Sequence, residues 1–263
     1  MKVLYLYLFA VVWSSVFSNV GYSQSRVRYI SVYQGVHIFK ADPWDKKNIR
    51  SSESFSFDDK AAISETIKTH FLSMFMGVKA EVVTNNERFS FLSGLQYTQM
   101  TGVIARKGFL FSDPPYFFYR YRESGTTTEY AKIREIRQNT NCLTVPLEVR
   151  FFFFRPRKFG VYVMGASQVN FKQSVKNEIV FDNDSMKMYT NAVTSTLEEP
   201  GDVNAFFYIG MGMRFGSRRA SFGLETAAPS FYTGGKTVGI VKPSAGIGLQ
   251  WYLSIRLGSI QYE

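Results

Sequence analysis

The stretch PSAGIGLQWYLSIRL, residues 243–257, decides the fold. Pro243, Ala245, Ile247, Leu249, Trp251, Leu253, Ile255 and Leu257 take every second place, and Ser244, Gly246, Gly248, Gln250, Tyr252, Ser254 and Arg256 take the places between. A period of two puts an apolar ribbon on one face of a strand and a polar, glycine-rich ribbon on the other. Soluble strands run about 5–6 residues, whereas a tilted strand crossing a bilayer needs about 9–11. Fifteen residues of unbroken alternation therefore read as a membrane-crossing strand. Lipid cannot satisfy an open sheet edge, so such strands close into barrels. The expectation is an all-β protein of the outer membrane.

Working outward, strand-like segments lie at 26–41, 70–84, 88–103, 139–154, 159–173, 204–216, 220–233 and 241–257. The gaps between them alternate in length. Asn85-Asn86-Glu87, Arg155-Pro156-Arg157-Lys158 and Ser217-Arg218-Arg219 are tight turns, whereas 42–69, 104–138 and 174–203 are long. Short periplasmic turns alternating with long outer loops predict an eight-stranded antiparallel transmembrane barrel with both ends of the chain in the periplasm. The fourth outer loop, near Gly234-Gly235-Lys236, is short.

The start of the chain reads as an export signal. Lys2 precedes the apolar run Val3 to Val12, and Gly21-Tyr22-Ser23 places small residues at −3 and −1 of a cleavage point before Gln24. A membrane-anchoring helix needs about 20 apolar residues, and this run is too short for one. Residues 1–23 are thus assigned to the signal and 24–263 to a single barrel domain with a formal charge of +9, the full +10 less Lys2. The 17% aromatic content suits aromatic girdles, and 20% charged residues suit a polar lumen with wet loops. The single cysteine, Cys142, excludes an internal disulfide and a thiolate metal cluster. The basic excess points to lipid headgroups or acidic partners; an exported barrel has no call to bind nucleic acid.

Parity assigns faces. Leu72 to Val82, Leu143 to Phe153 and Ala205 to Phe215 supply outward ribbons at alternate positions, and the ribbons between them hold the charges. A soluble ligand-carrying barrel would reverse this pattern. In the fifth strand Val161 and Val163 compete with Tyr162 and Met164. Lys79, Glu81, Glu148, Arg150, Arg214, Glu225 and Arg256 all fall inward, near short turns or the end of the last strand. They are expected to form one belt, with paired charges plugging the periplasmic half and fixing the barrel's geometry. A proton or ion path through the belt is the alternative. Inward glycines, among them Gly212, Gly223 and Gly248, leave room for Tyr33, Phe75, Tyr208 and Tyr252.

These features carry a family resemblance. Gly94-Leu95-Gln96-Tyr97-Thr98-Gln99, Leu143-Thr144-Val145-Pro146-Leu147-Glu148-Val149-Arg150 and Val161-Tyr162-Val163-Met164-Gly165 together resemble the PorT-type outer-membrane β-barrel family over residues 70 to 257, and Leu-x-Val-Pro-Leu is the most distinctive piece. The resemblance implies an eight-stranded barrel without enzymatic activity and, for the founding members, a role in a type IX protein-secretion apparatus. Partners would then be outer-membrane lipid and envelope or secretion-complex proteins around a monomeric barrel, with no cofactor.

Individual function is expected in the connecting segments. Residues 104–138 mix aromatic and basic groups, and Arg106, Lys107, Tyr119, Arg120 and Arg122 are the binding candidates for an anionic surface. The alternative is an interface girdle on strands that extend past the membrane as a hairpin. Residues 58–69 read as a short helix over the barrel mouth. Arg155, Arg157, Lys158, Arg218 and Arg219 make basic periplasmic turns. His37 is placed inward and His70 outward, so they share no site; Ser31 and Ser73 near His37 keep a lipid hydrolase in view. Asp182-Asn183-Asp184 lacks the spacing and glycine of a calcium loop and reads as a solvated turn. No metal site is expected.

Overall fold

The computed structural model describes residues 27–50, 67–84, 86–106, 116–124, 127–154, 158–217, 219–233 and 238–257. The export signal, the cleavage point, Lys107, Arg155, Arg157, Arg218 and Gly234 to Lys236 lie outside the described residues. The strands are β1 (Val27–Pro43), β2 (Ile49–Arg50), β3 (Ile67–Val83), β4 (Phe89–Arg106), β5 (Phe117–Ser124), β6 (Thr127–Phe154), β7 (Phe159–Phe181), β8 (Val203–Gly216), β9 (Ala220–Thr233) and β10 (Val241–Leu257). Eight of them form a closed antiparallel ring in the order β1, β3, β4, β6, β7, β8, β9, β10, and β10 returns to β1 through the pairs Arg28↔Leu257 to Pro43↔Val241. This is the eight-stranded barrel that the alternation predicts.

The exterior is apolar and exposed. Ile247, Leu249, Leu253, Ile255 and Leu257 of β10 point out, as do Met74, Met76 and Val78 of β3 and Phe207, Ile209, Met211 and Met213 of β8. Within the ring lie Tyr33, Lys79, Glu148, Arg150 and Tyr252, each almost fully buried. An apolar outside around a charged inside is the transmembrane form of the fold, and the chain is an outer-membrane barrel. In β7 the ambiguity resolves in favour of Tyr162 and Met164 inside, both buried. Because every ring strand is paired on both sides, a folded sample kept cold in detergent should migrate differently from a boiled one on a gel. A single mobility would contradict a closed ring.

The ladder explains the Pro146 motif. Pairing of β4 with β6 runs without shift to Ser93↔Leu147, skips two positions and resumes at Gln96↔Thr144. Pro146 has no N–H to give at the skipped position. On its other side Pro146↔Gln168 keeps its place against β7.

Three expectations are corrected. Residues 104–138 are not a long loop: β4 continues to Arg106, β6 begins at Thr127, and β5 folds back on it. β5 takes up the edge of β6 that β4 leaves, and β7 accompanies β6 up to Ile133↔Phe181. The hairpin alternative is therefore the one realised, and the reason is continuity: a strand already paired gains a bond with each added residue. The helix expected at 58–69 is replaced at its end, since Ile67 to Thr69 belong to β3 and pair with Arg106 to Ile104; residues 51–66 lie outside the described residues. The segment 174–203 is shorter than a loop of that span, because β7 runs to Phe181 before a 3₁₀ turn (Asp184–Tyr189) and a short helix (Thr190–Thr194).

Candidate functional site

The lumen is organised in layers, and the deepest is ionic. β3, β6, β8 and β9 each bring charged groups to the periplasmic half. Lys79 Nζ lies 2.7 Å from Glu148 Oε2, and Arg150 Nε lies 2.5 Å from Glu148 Oε1. Arg150 also reaches Glu225 Oε1 at 2.6 Å. Tyr162 and Gln250 donate to the two Glu225 oxygens. Arg214 grips Glu81 with both terminal nitrogens, at 3.0 and 2.8 Å, and its Nε donates to Ser221 at 2.8 Å. Three cations thus meet three anions, and all six are buried. Burying a lone charge is prohibitive, so the charges persist at this depth only as a mutually paired network.

Aromatic rings pack the ionic layer from several sides. The Arg150 guanidinium lies 4.5 Å from the Tyr252 ring centre and 5.0 Å from that of Tyr162; Arg214 lies 4.5 Å from Tyr29, and Lys79 Nζ 4.0 Å from Tyr33. Glycine makes this possible at two places. A Cβ on Gly223 or Gly212 would fall on the Tyr252 or Tyr162 ring, so the neighbouring strand must be bare for each tyrosine to lie flat across it.

Arg256 is a correction. Its side chain is half-buried beside Tyr29 on the β1 ladder, and among the described residues no ion pair reaches it. Parity gives direction but not depth, and Arg256 points inward where the barrel opens to water. Tyr162, Gln250 and Ser221 belong to the network although charge did not mark them. Gln250 sits between Leu249 and Trp251 on the polar ribbon, a signal that inward parity alone supplies.

Above the charges the lumen is polar, then aromatic, then apolar. Tyr33 donates to Gln96 at 2.5 Å, Gln96 to Gln168 at 2.9 Å, Thr144 to Asn170 at 2.6 Å and Asn170 to Asn204 at 2.7 Å. Next comes His37, its ring within 4.9–5.3 Å of the Phe75, Phe206 and Tyr208 rings. Neither His37 nitrogen nor the Ser73 hydroxyl has a hydrogen-bond partner among the described residues, and Ser31 is bonded to Ser254 at 2.6 Å. The His and Ser groups therefore make no nucleophile and base pair. His70 lies on the exposed outer face. Beyond this layer Ile104, Ile133, Ile136, Phe117, Val193 and Leu197 join one buried cluster that roofs the barrel. Ile240 closes its side, its N–H donating to Gln138 and its carbonyl accepting from Trp44.

The outer binding candidates do not form one surface. Tyr119 is 3% exposed in the roof, so its hydroxyl is not an exposed contact. Arg120 is half-buried and donates to Asn48 at 2.9 Å. Arg122 is exposed and lies 3.8 Å from Glu129. Arg106 ends β4. Other exposed cations of the extension are paired: Arg134 with Asp182 at 2.9 Å, Arg137 with Glu135 at 2.7 Å and Lys176 with Glu178 at 2.8 Å; the Lys176 hydrogen bond and charge hold the Glu178 carboxyl below its usual range. Lys132 lies 4.8 Å from the Tyr116 ring centre. Asp182-Asn183-Asp184 is a turn, as expected, with Asn183 accepting from the Ser185 N–H. Among the described residues no cluster of His, Cys, Asp or Glu is arranged to hold a metal. Of the periplasmic basic turns, Lys158 and Arg219 are described, and both are exposed.

No protein-family model matches the chain, and no curated protein does. Among solved structures it is similar to the translocator domain of the autotransporter NalP from Neisseria meningitidis (6% identity, 97% of each chain covered, TM-score 0.29). It is also similar to the outer membrane protein OprG from Pseudomonas aeruginosa (9% identity, 89% of this chain and 97% of that one, TM-score 0.34). A third is the transport unit of the autotransporter AIDA-I from Escherichia coli (10% identity, 91% and 92%, TM-score 0.32).

Proposed function

We propose that this chain is a sealed, non-enzymatic outer-membrane barrel that serves as an interaction component of an envelope assembly. The observation that carries the proposal is the filled lumen: the ionic, polar and aromatic layers and the apolar roof follow one another along its length, built from side chains that are almost fully buried. A conduit needs a continuous path of water, and paired charges at this depth are held by each other and not by solvent. A scaffold so closed has its two ends and its outer wall left for contacts. At the outer end β5 and β6 form a paired extension in place of a loop, and such rigid support suits recognition of a partner. At the periplasmic end Lys158 and Arg219 are exposed, and Arg155, Arg157 and Arg218 neighbour them in sequence. The narrower form of the proposal is the type IX-like secretion role that the PorT resemblance implies.

Two measurements test it. The purified protein in planar bilayers should give no steady unitary conductance; a stable open level would overturn the sealed reading in favour of a small channel. Reversing the five periplasmic charges should leave the barrel inserted and heat-modifiable while reducing copurification of envelope proteins. If the same neighbours are recovered in the same amounts, the turns touch lipid only, and the β5–β6 extension becomes the contact surface.

A further inference from the structure

The lipid-facing wall is not uniformly smooth. From the turn at Thr84 and Asn86 to the middle of β8 it is hollowed into a groove of about 1010 Å³ that is lined mainly by apolar atoms. That volume is at the upper end of small-molecule sites, about 300–1,000 Å³. The floor is made of small outward residues, Ala80, Ser93, Gly165 and Ser167, and Phe91 and Phe207 stand beside them. The sheet register brings these together: Ala80↔Ser93 joins β3 to β4, Ser93↔Leu147↔Ser167 joins β4 to β6 and β7, and Ser167↔Phe207 joins β7 to β8.

Gly165 is a second and independent sign. At Gly35, Gly77, Gly94, Gly210, Gly212, Gly223, Gly246 and Gly248 an added Cβ would come closer than 3.0 Å to protein atoms, but at Gly165 it would meet nothing within 4 Å. The protein's own packing therefore does not require glycine there. Glycine in a strand loses backbone entropy and offers nothing to pack. It commonly marks a bulge or a close approach by a ligand or another backbone. The register through Val149↔Gly165↔Ile209 is regular, which removes the bulge and leaves the approach.

The mouth of the groove is polar. Thr84 and Asn86 line it, Glu87 and Arg88 follow in the same turn and are exposed, and the Arg88 carbonyl accepts from Phe152 N–H at 2.8 Å. An apolar trough on a lipid-facing wall, ending at a polar turn that also carries an exposed arginine, fits an amphiphile with an anionic head, since guanidinium and phosphate oxygens match as a fork. A second copy of this chain fits poorly. A two-fold interface presses the same patch on itself, and two hollows face to face leave space where packing is needed.

We propose that this groove is a phospholipid site of the periplasmic leaflet, with an acyl chain lying over Gly165 and Ser167 and the phosphate beside Arg88. The full-length barrel, washed free of loosely held lipid in detergent, is titrated with dioleoyl phosphatidylglycerol and read by native mass spectrometry. One lipid adduct should persist. Gly165→Leu with Ser167→Leu should lower its occupancy about tenfold, as expected when roughly two buried methylenes lose their contacts. Arg88→Glu should weaken phosphatidylglycerol more than uncharged dioleoylglycerol. Heat-modifiable mobility reports whether each variant folds. A phosphatidylglycerol with a photoreactive acyl chain makes the test independent of any variant, and its label should concentrate on peptides holding Ser93 and Gly165. Undiminished lipid in the filled variant, or label spread evenly around the apolar band, would overturn the site. So would a dimer, or a bound protein, that Gly165→Leu releases while lipid retention stays the same.

Discussion

Glu148→Ala is expected to cost about 3–5 kcal/mol of barrel stability, the penalty for breaking a buried pair and stranding its partners. Glu148 holds two cations at once, Lys79 at 2.7 Å and Arg150 at 2.5 Å. Without it Lys79 loses its ionic contact, and Arg150 keeps only Glu225. Denaturant unfolding of the barrel in vesicles measures the loss. The comparison is Glu178→Ala on the exposed extension, whose partner Lys176 is 74% exposed and which should leave the transition unmoved, because solvent replaces what the pair supplies. Equal losses from the two substitutions would show that Glu148 is not a member of a dry network.

Gly223→Leu attacks the same layer by crowding and should destabilise by at least about 1–3 kcal/mol. Its Cβ would enter the Tyr252 ring, and that ring covers Arg150 and lies 3.1 Å, hydroxyl to hydroxyl, from Tyr162. Displacing it disturbs the anchoring of Glu225 as well as the packing. Gly165→Ala is the control, since the added methyl meets no protein atom, and its effect should stay within about 0.5 kcal/mol. If both glycines tolerate substitution alike in thermal unfolding, the flat tyrosine does not need its bare neighbour.

Much of this was legible because strand parity is a strict rule and the lipid enforces it. Two ring strands have the bounds that alternation suggests, Ala220–Thr233 and Val241–Leu257, and six of the seven belt residues are buried together. Arg256 escaped because alternation says which way a side chain points and not how far from the mouth it sits. Tyr162 was undecidable locally, since its valine neighbours are as apolar as it is; only the pairing Tyr162↔Gly212 shows that β8 makes room for its ring. The outer extension is hard to read in the sequence for a different reason. Outside the membrane both faces of a strand can be polar or aromatic, so the alternation fades where β6 continues, and the burial of Tyr119 under Thr196 of a distant segment leaves no trace in its neighbourhood.

The seam between β1 and β10 sets the order in which the barrel can be made. Ser31 and Ser254 touch across it although 223 residues separate them. Contacts of such long range form late, because chain entropy must be surrendered before they give anything back. Until β10 emerges and finds β1, the other seven ring strands are a curled sheet with two raw edges, each a template for pairing with another chain. The strand of unbroken alternation, β10, is thus also the barrel's zipper. A weakening substitution there acts first on the clock, by prolonging an aggregation-prone half-built state, and only afterwards on the finished wall.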